Sequence, residues 1–388
     1  MRRHCYSLLL NLCFAFIIFL QSCSKDDDNT PSITSIFPTS GWQGDTVTVY
    51  GKNLTGDVSL LDVKVNGKQL TIIQSSPDSI KVKVPGKLGS GPLQVSFGGA
   101  TYIGPEFTYN YRATVTTIAG TGAAGLNDGN GSSAEFWAPW GMAMDAFGNI
   151  YVADVYNIRI RKISVPGYTV STIPITASPF YTPYNLAVDK ENNIYVTDFH
   201  HHILKIAANG TQSVIYNDAN LVGAGIAVDA NNNLFVANNI KHQILKMTTE
   251  GANAGTFASP IITPRNIFFG KDGTMYVSSV EINKVSSTGS ISLAATDPGF
   301  RGWETAIDTD GNFYSADYFS NRIRKINKKG VVTTIAGNGN AADVDGVGMA
   351  ASFNGPRGII IDDEGNLYVT TYIDANSSGN KVRKITFD

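Results

Sequence analysis

Residues 141–154, with the sequence GMAMDAFGNIYVAD, consist of two short apolar runs on either side of the turn DAFGN, which runs from Asp145 to Asn149. Asp and Asn side chains accept hydrogen bonds from backbone N–H groups in tight turns, and Gly adopts the positive φ that such turns need. The stretch therefore predicts two antiparallel strands joined by a tight turn.

The same stretch recurs in recognisable form along the chain. Its six copies are residues 141–154, 185–198, 225–238, 266–279, 304–317 and 358–371. Successive aspartate positions lie 44, 40, 41, 38 and 54 residues apart, and Gly270 takes that position in the fourth copy. Each copy is followed by a third run of strand length that ends in a basic and an apolar residue, as in Lys162-Ile163. A period near 40 is typical of one four-stranded blade per repeat, so the sequence predicts a six-bladed β-propeller.

The two ends of the repeat region indicate how the ring closes. The run VVTTIAG at residues 331–337 supplies a fourth strand to the fifth blade, whereas the sixth copy reaches Asp388 without one. A near copy, VTTIAG at residues 115–120, precedes the first repeat instead. We therefore expect this N-terminal strand to complete the sixth blade, which removes both open sheet edges.

The loops that flank the first and last repeats carry a family resemblance. Residues 119–139 and 336–356 both run from Ala-Gly to a Phe followed closely by Pro, and they closely resemble NHL repeats. The resemblance covers residues 113–388, and the fourth blade departs most, with Gly270 and Ser279 at template positions. It implies an NHL-type propeller.

Residues 31–111 precede the repeats and alternate apolar and polar residues in short runs between turns. Asn66-Gly67 accepts the two positive-φ positions of a hairpin turn, so a small antiparallel sandwich is predicted. Residues 36–38, 51–54 and 107–109 resemble the corresponding motifs of IPT/TIG immunoglobulin-like domains, which usually act as spacers or interaction modules. The fold class is therefore expected to be all-β, an IPT/TIG sandwich followed by a six-bladed NHL-type β-propeller closed by an N-terminal strand.

The first 22 residues have the pattern of a secretory signal peptide: Arg2 and Arg3 precede an apolar run from Leu8 to Leu20. A membrane-spanning anchor is the alternative, but the run is shorter than the ~20 apolar residues that a span needs. Leu20-Gln21-Ser22-Cys23 resembles a bacterial lipobox, which implies cleavage before Cys23 and lipidation of that cysteine. Residues 23–30 then form an acidic tether that resembles the export signal of Bacteroidetes lipoproteins, and this predicts a lipid-anchored protein on the outer membrane, exposed at the cell surface.

Composition excludes some functions and leaves the ligand open. Lys and Arg number 30 against 32 Asp and Glu, and no basic run follows Arg3, so a nucleic-acid partner is not expected. Of the three cysteines, Cys5 and Cys13 would leave with the signal and Cys23 would carry lipid, so no disulfide is expected.

In a propeller, the loops that enter the innermost strands and those that leave the second strands lie on one face, around the central channel. Side chains there that do not repeat between blades are the candidate ligand-binding residues, because a residue that recurs in every blade is usually structural. These candidates are Trp140, Tyr156, Tyr184, Phe199, Arg265, Trp303, Tyr318, Arg357 and Tyr372. Aromatic faces stack on sugars, and Arg donates forked hydrogen bonds to hydroxyls or carboxylates, although the aromatic residues would also suit packing between blades.

The histidines His200–His202 and His242 lie in the second and third blades. His201 and His242 hold equivalent loop positions and are weak candidates for a shared zinc site, which lacks a third ligand. Asn321 and Asn380 hold the same position in later blades, which favours a turn role. No cofactor is expected.

Together these features predict a surface protein whose channel face binds an extracellular ligand, with a glycan for polysaccharide uptake as the leading candidate. That step rests on the resemblance to surface lipoproteins, and it implies an outer-membrane transporter as a candidate partner. Two alternatives remain: a propeller enzyme, a lyase or hydrolase that could use a metal, and a scaffold that binds proteins. The sequence contains no catalytic motif that favours the enzyme.

Overall fold

The computed structural model describes residues 30–222, 225–296, 303–372 and 379–388. The predicted signal peptide, Cys23 and the predicted tether as far as residue 29 lie outside the described residues. The described chain divides into two compact units after Tyr109. It consists of β-strands and three short 3-10 helices, at Val58–Leu60, Gly131–Ser133 and Gly348–Ala350. Within these ranges, no helix has the length and apolarity of a membrane span.

The first unit is a sandwich of two β-sheets. Its strands are β1 (Ser32–Phe37), β2 (Ser40–Gly41), β3 (Thr46–Lys52), β4 (Asp62–Val65), β5 (Lys68–Gln69), β6 (Thr71–Ser75), β7 (Ser79–Lys83), β8 (Gly91–Phe97) and β9 (Ala100–Tyr109). One sheet has the order β1-β3-β7-β6 and the other the order β2-β9-β8-β4-β5. Val49 and Ile80 of the first sheet and Val63 and Val95 of the second are fully buried, so the core lies between the sheets.

In this sandwich the hairpin turn was predicted from the sequence, whereas the edge strand β6 was not. Asn66 and Gly67 have φ values of 51° and 74°, and Val65 pairs with Lys68, which confirms the predicted hairpin. Strand β6 was not predicted, because its register with β7 shifts between Ile72 and Gln74 and its buried positions therefore do not alternate.

The second unit contains the repeats. Its strands are β10 (Ala113–Ala119), β11 (Gly129–Asn130), β12 (Pro139–Met144), β13 (Ile150–Asp154), β14 (Arg159–Ser164), β15 (Thr169–Pro174), β16 (Pro183–Val188), β17 (Ile194–Asp198), β18 (His202–Ile206), β19 (Gln212–Asn217), β20 (Ile226–Val228), β21 (Asn233–Asn238), β22 (Gln243–Thr248), β23 (Gly255–Ala258), β24 (Asn266–Phe269), β25 (Met275–Ser278), β26 (Ile282–Val285), β27 (Ile291–Ala295), β28 (Thr305–Ile307), β29 (Phe313–Asp317), β30 (Arg322–Ile326), β31 (Val332–Ala336), β32 (Gly346–Val347), β33 (Pro356–Ile361), β34 (Leu367–Thr371) and β35 (Lys381–Phe387).

These strands form six antiparallel sheets, one for each blade. The innermost strands of blades 1 to 6 are β12, β16, β20, β24, β28 and β33, and each contacts the next around the ring, with β33 against β12. Strand β10 pairs with β35 from Ala113 opposite Phe387 to Ala119 opposite Val382. The N-terminal strand therefore closes the sixth blade, as the sequence predicts. Blades 1 and 6 each gain a short fifth strand, β11 and β32, which was not predicted.

The aspartate that recurs in the template holds the turn between the first two strands of its blade. The Asp145 carboxylate accepts hydrogen bonds from the backbone N–H groups of Phe147 and Asn149, both at 2.9 Å, and from the Tyr151 hydroxyl at 3.2 Å. The matching bonds from the Asn and Tyr partners form at Asp189, Asp308 and Asp362. This repeated carboxylate is therefore committed to the fold.

Two fully buried arginines tie the third strands of blades 1 and 6 to the loops before them. Arg161 lies 2.9 Å from Asp154 and 2.8 Å from Asp128. Arg383 makes the same kind of pair of contacts, at 3.0 and 2.7 Å, with Asp343 and Asp345. A buried charge is tolerated only when it is paired, so these acids are part of the folded framework.

Candidate functional site

The candidate site lies on the propeller face that carries the turns leaving the second strands and the loops entering the innermost strands. We call this the mouth face. Trp140, Tyr184 and Arg357 lie near the start of innermost strands, and Arg265 and Trp303 lie just before them. Four more residues follow directly after second strands. These are Tyr156, Phe199, Tyr318 and Tyr372.

Trp140 is at the centre of the aromatic contacts. Its ring lies edge-on to Tyr184, with ring centroids 5.2 Å apart, and tilted against Phe199 at 5.3 Å. Trp303, from blade 5, stacks on the ring of Trp140 at 6.3 Å with an interplanar angle of 24°. Rings from blades 1, 2 and 5 therefore meet over the central channel.

Arg357 links these rings to the rest of the site. Its guanidinium carbon lies 4.2 Å from the ring centre of Trp140, 4.4 Å from that of Tyr318 and 5.2 Å from that of Trp303. Its Nε–H donates to the Tyr372 carbonyl at 3.4 Å. Burial lowers the pKa of this guanidinium, but arginine stays protonated in proteins. Arg265 lies over the other part of the cluster, 5.4 Å from the ring centre of Trp303.

The last two predicted residues connect the cluster to its edge. Tyr156 contacts Tyr372 edge-on at 5.8 Å and Trp137 at 5.5 Å. Tyr156 is 49% exposed, whereas Tyr372 is only 3% exposed and lies beneath the others. All nine residues predicted from the sequence therefore form one continuous set of contacts, which we call the mouth cluster.

The indole N–H groups of the two central tryptophans have no hydrogen-bond partner among the described residues. The indole Nε1–H groups of Trp140 and Trp303 are both buried, and neither makes a hydrogen bond with any described residue. A buried donor that loses water without gaining an acceptor is costly, typically by about 1–3 kcal/mol. The mouth cluster therefore holds two N–H groups that an incoming acceptor would satisfy.

A carboxyl group that was not predicted as a site residue lies directly under the cluster. Glu304 of blade 5 is 8% exposed, and its Oε1 accepts a hydrogen bond from Asn185 Nδ2 of blade 2 at 3.0 Å. Its Oε2 accepts from the Ile359 N–H at 3.2 Å. Burial raises the pKa of Glu304 to about 8, so this group is protonated at neutral pH. Because blades 2 and 5 are opposite each other in a ring of six, the bond to Asn185 crosses the channel.

The position of Glu304 in the repeat explains why it could reach the axis. The equivalent residue is glycine in blades 1, 3 and 6, where the next innermost strand comes very close. A Cβ at Gly358 would lie 2.4 Å from the Trp140 carbonyl oxygen, and one at Gly225 would lie 2.3 Å from that of Arg265. Only blades 2, 4 and 5 carry a side chain at this level. This carboxyl group could have been predicted from the sequence as a copy whose first template residue is not glycine.

Below Glu304 the channel widens into a cavity of about 260 Å³. Innermost strands of all six blades line it, mainly with aliphatic residues such as Met142, Leu186, Ile226 and Ile359. Among the residues of the mouth cluster, by contrast, only about 10 Å³ remains, which is about the space of one water molecule. The mouth cluster and the Asn185–Glu304 bond therefore close the channel on the mouth face, and a large ligand meets the outer surface of the cluster.

That outer surface is bordered by one turn residue from each of blades 1 to 5. These residues, which we call the rim, are Tyr156, His200, Ile240, Val280 and Phe319. In blade 4 the position equivalent to the other four is Glu281, one residue after Val280, and it is also exposed. All five rim residues are exposed, Phe319 by 61% and Ile240 and Val280 by 52% each. The sixth position of the rim lies outside the described residues. Exposed apolar groups concentrated around one site mark a surface for binding.

The weak metal candidates occupy turns. His201 and His242 have φ values of 83° and 54°, in the region that Asn321 and Asn380 also adopt at the equivalent positions. His201 Nδ1–H donates to the Leu221 carbonyl at 2.9 Å, and His242 Nδ1 accepts from the Thr263 N–H at 3.0 Å. Within the described ranges, no three His, Cys, Asp or Glu side chains lie close enough to hold a metal ion.

Comparisons with known proteins agree with this architecture. The family model of the IPT/TIG domain matches residues 31–122, and that of the teneurin NHL domain matches residues 113–297. Among curated proteins, none matches this chain.

Solved structures of similar fold include several proteins from Bacteroides. A structural genomics protein of unknown function from Bacteroides thetaiotaomicron has a TM-score of 0.62 and 21% identity, over 94% of this chain and 99% of its own. An auxiliary nutrient binding protein from the same organism has a TM-score of 0.56 and 18% identity, over 93% and 99%. Another auxiliary nutrient binding protein, from Bacteroides ovatus, has a TM-score of 0.56 and 20% identity, over 92% and 98%. At these identities the likeness establishes the fold, and the chain is an IPT/TIG domain followed by an NHL-type six-bladed β-propeller.

Proposed function

We propose that this protein is a cell-surface binding protein whose mouth face holds an extracellular glycan for uptake. Residues 1–22 would be its signal peptide, Cys23 its lipid anchor in the outer membrane and residues 23–30 its tether. The IPT/TIG domain, residues 31–111, would act as a spacer, and the propeller, residues 113–388, would bind the ligand. The fold shared with the auxiliary nutrient binding proteins of Bacteroides supports a role in binding.

The observation that carries the proposal is the mouth cluster with its aromatic rim. Tyr156 and Phe319 expose about half or more of their surface beside the cluster. The flat faces of such rings stack on the C–H faces of sugars. The buried indole N–H groups have no acceptor among the described residues, and sugar oxygens are hydrogen-bond acceptors. The closed mouth fits a chain that lies across the surface better than a small molecule that enters the channel.

The catalytic alternative has less support from the described residues. The mouth cluster contacts one carboxyl group, Glu304, which is already bonded to Asn185 and to the Ile359 N–H. His200 lies on the rim, with its ring tilted by 48° against that of Tyr181 and the ring centroids 4.7 Å apart. A lyase or hydrolase of this fold would need an acid and a base that converge in one open pocket.

Affinity electrophoresis of the purified protein tests the proposal. The gels would contain dextran, galactomannan, arabinoxylan, methyl-esterified homogalacturonan or polygalacturonate. At least one polysaccharide should retard the protein, and Tyr156→Ala or Phe319→Ala should weaken that retardation roughly three- to tenfold, which is the effect of one aromatic stacking contact. Phe147→Ala is the matched control, because Phe147 is 75% exposed in a turn on the opposite face. If no polysaccharide retards the protein, the proposal fails. If Phe147→Ala weakens binding equally, the mouth face is not the site.

A second candidate function, docking of a protein such as an outer-membrane transporter, is favoured by the aliphatic part of the rim. Ile240 and Val280 are each about half exposed and have no flat face for a sugar. Protein interfaces are enriched in aromatic residues and arginine, with few other charges at their centre. A comparison of Ile240→Ser with Tyr156→Ala separates the two functions. Protein docking should be weakened by both variants, whereas retardation by a glycan should be weakened more by loss of the aromatic ring of Tyr156.

A further inference from the structure

The mouth cluster contains a cation whose partners are aromatic rings. Arg161 and Arg383, the fully buried arginines of the same propeller, each contact two carboxylates within 3.0 Å. Arg357 lies within 4 Å of no carboxylate among the described residues. It is held by the faces of Trp140 and Tyr318 and by the Tyr372 carbonyl. Among the described residues, therefore, no carboxylate compensates its positive charge.

The acid beneath the cluster does not neutralise this charge. Glu304 is bonded to Asn185 and to the Ile359 N–H, and its raised pKa leaves it uncharged at neutral pH. Arg265, over the face of Trp303, adds a second positive charge to the cluster. Among the described residues, the centre of the mouth face thus contains two guanidinium groups and one uncharged carboxyl group, whereas the whole chain carries a formal charge of −2.

The nitrogen groups at this centre are all hydrogen-bond donors. Guanidinium and indole N–H groups donate and cannot accept. Trp140 and Trp303 each hold one such group, which has no partner among the described residues. A ligand that satisfies the site must therefore bring acceptor oxygens, and a charged acceptor makes hydrogen bonds about twice as strong as a neutral one.

We infer that the mouth cluster recognises an anionic group, a carboxylate or a sulfate carried by an acidic glycan, through the partly exposed guanidinium groups of Arg357 and Arg265. This rests on the proposed function and specifies the class of its ligand. The sugar rings next to the anion would lie on the rim, where Tyr156 and Phe319 are exposed.

A matched pair of polysaccharides tests the inference. Polygalacturonate carries a carboxylate on every residue, and its methyl ester has the same backbone without the charge. Dextran sulfate and dextran form the corresponding pair for sulfate. The full purified protein should bind one charged member at least tenfold more tightly than its neutral partner, measured by affinity electrophoresis and by quenching of tryptophan fluorescence.

Two variants place this preference at the mouth cluster. Arg357→Met keeps an unbranched apolar side chain between the rings and removes the charge, so it should remove the preference for the charged member. Arg265→Met should reduce it, and it serves as the second variant if Arg357→Met does not fold by circular dichroism. Lys329→Met is the control, because Lys329 is an exposed cation in a turn on the opposite face.

Each outcome decides between the two proposals. Equal binding of charged and neutral members overturns the inference and leaves the glycan-binding function standing. An equal loss in Lys329→Met and Arg357→Met shows ion exchange over the whole surface and also overturns the inference. No binding of any polysaccharide overturns the proposed function itself. Preference for polygalacturonate with no preference for dextran sulfate supports the inference and identifies a carboxylate as the anion.

Discussion

Substitution Glu304→Gln should remove a pH dependence from the stability of the propeller. Burial raises the pKa of Glu304 to about 8, against an ordinary value of 4.5. Between these values the folded protein keeps a proton that the unfolded chain has released. The stability contribution of Glu304 is therefore present in full below pH 4.5 and is lost as the pH rises towards 8. Glutamine does not titrate, so the variant should lack this trend.

The magnitude follows from the two pKa values. One pKa unit corresponds to 1.36 kcal/mol, and integration between pH 5 and pH 8 gives a loss of about 3.5 kcal/mol for the parent protein relative to the variant. The glutamine amide would offer one acceptor oxygen where the carboxyl group of Glu304 offers two, so a constant loss of about 1 kcal/mol is expected at every pH. The variant should thus be slightly less stable than the parent at pH 5 and more stable at pH 8.

Urea unfolding at pH 5, 6, 7 and 8 provides the assay. A Trp42→Phe background removes the tryptophan of the first unit, so the remaining three report on the propeller. Glu281→Gln is the control, because it removes an exposed carboxylate from a turn on the mouth face and should change stability by less than about 0.5 kcal/mol. A difference between Glu304→Gln and the parent that stays constant across this range would refute the reasoning. A parent that gains stability with pH would show that the carboxylate is ionised and paired.

Three further perturbations test the framework. A chain that starts at residue 110 should unfold in one cooperative transition. A chain that starts at residue 121 lacks β10, leaves β35 paired on one side only, with β34, and should lose that transition in calorimetry. Arg383→Met should lower the free energy of unfolding by about 3–5 kcal/mol in urea titration, because it leaves the buried Asp343 carboxylate without its partner; a loss below about 1 kcal/mol would contradict this. The double variant His201→Asn, His242→Asn should keep the melting temperature of the parent with and without added zinc, since asparagine adopts the same turn conformation; a zinc-dependent stabilisation of the parent alone would restore the metal hypothesis.

The features that depend on local chemistry could be predicted from the sequence. The Asp145 turn, the Asn66-Gly67 hairpin and the closing strand all follow from residues close together in the chain or from a copied strand. The mouth face could be predicted because strand alternation decides on which side of a propeller each loop lies. The nine candidate residues lie together on that face, and their role in binding a ligand stays a prediction.

The features that escaped prediction depend on distances across the fold. That Glu304 meets Asn185 requires knowledge of which blades are opposite each other and how close their innermost strands come. The pair of Asp343 and Arg383 joins residues that are 40 positions apart in the chain. Asp343 lies in a loop whose path cannot be read from the repeat. Tyr372 was predicted as a ligand contact, and its position beneath the cluster depends on how the neighbouring rings stack.

The repeats also explain where a binding site can arise in this fold. A residue present in every copy, such as Asp145, satisfies the same turn in each blade and is not available to a ligand. At the level of Glu304, three blades need glycine because the neighbouring strand leaves no room for a Cβ, and only the other three can place a side chain near the axis. The sixfold arrangement is therefore broken at the mouth, where one carboxyl group, two arginines and two tryptophans replace equivalent residues. Within the described residues, these deviations leave the Arg357 cation without a carboxylate and the indole N–H groups of Trp140 and Trp303 without acceptors. A bound ligand that carries acceptor oxygens should therefore also raise the stability of the propeller.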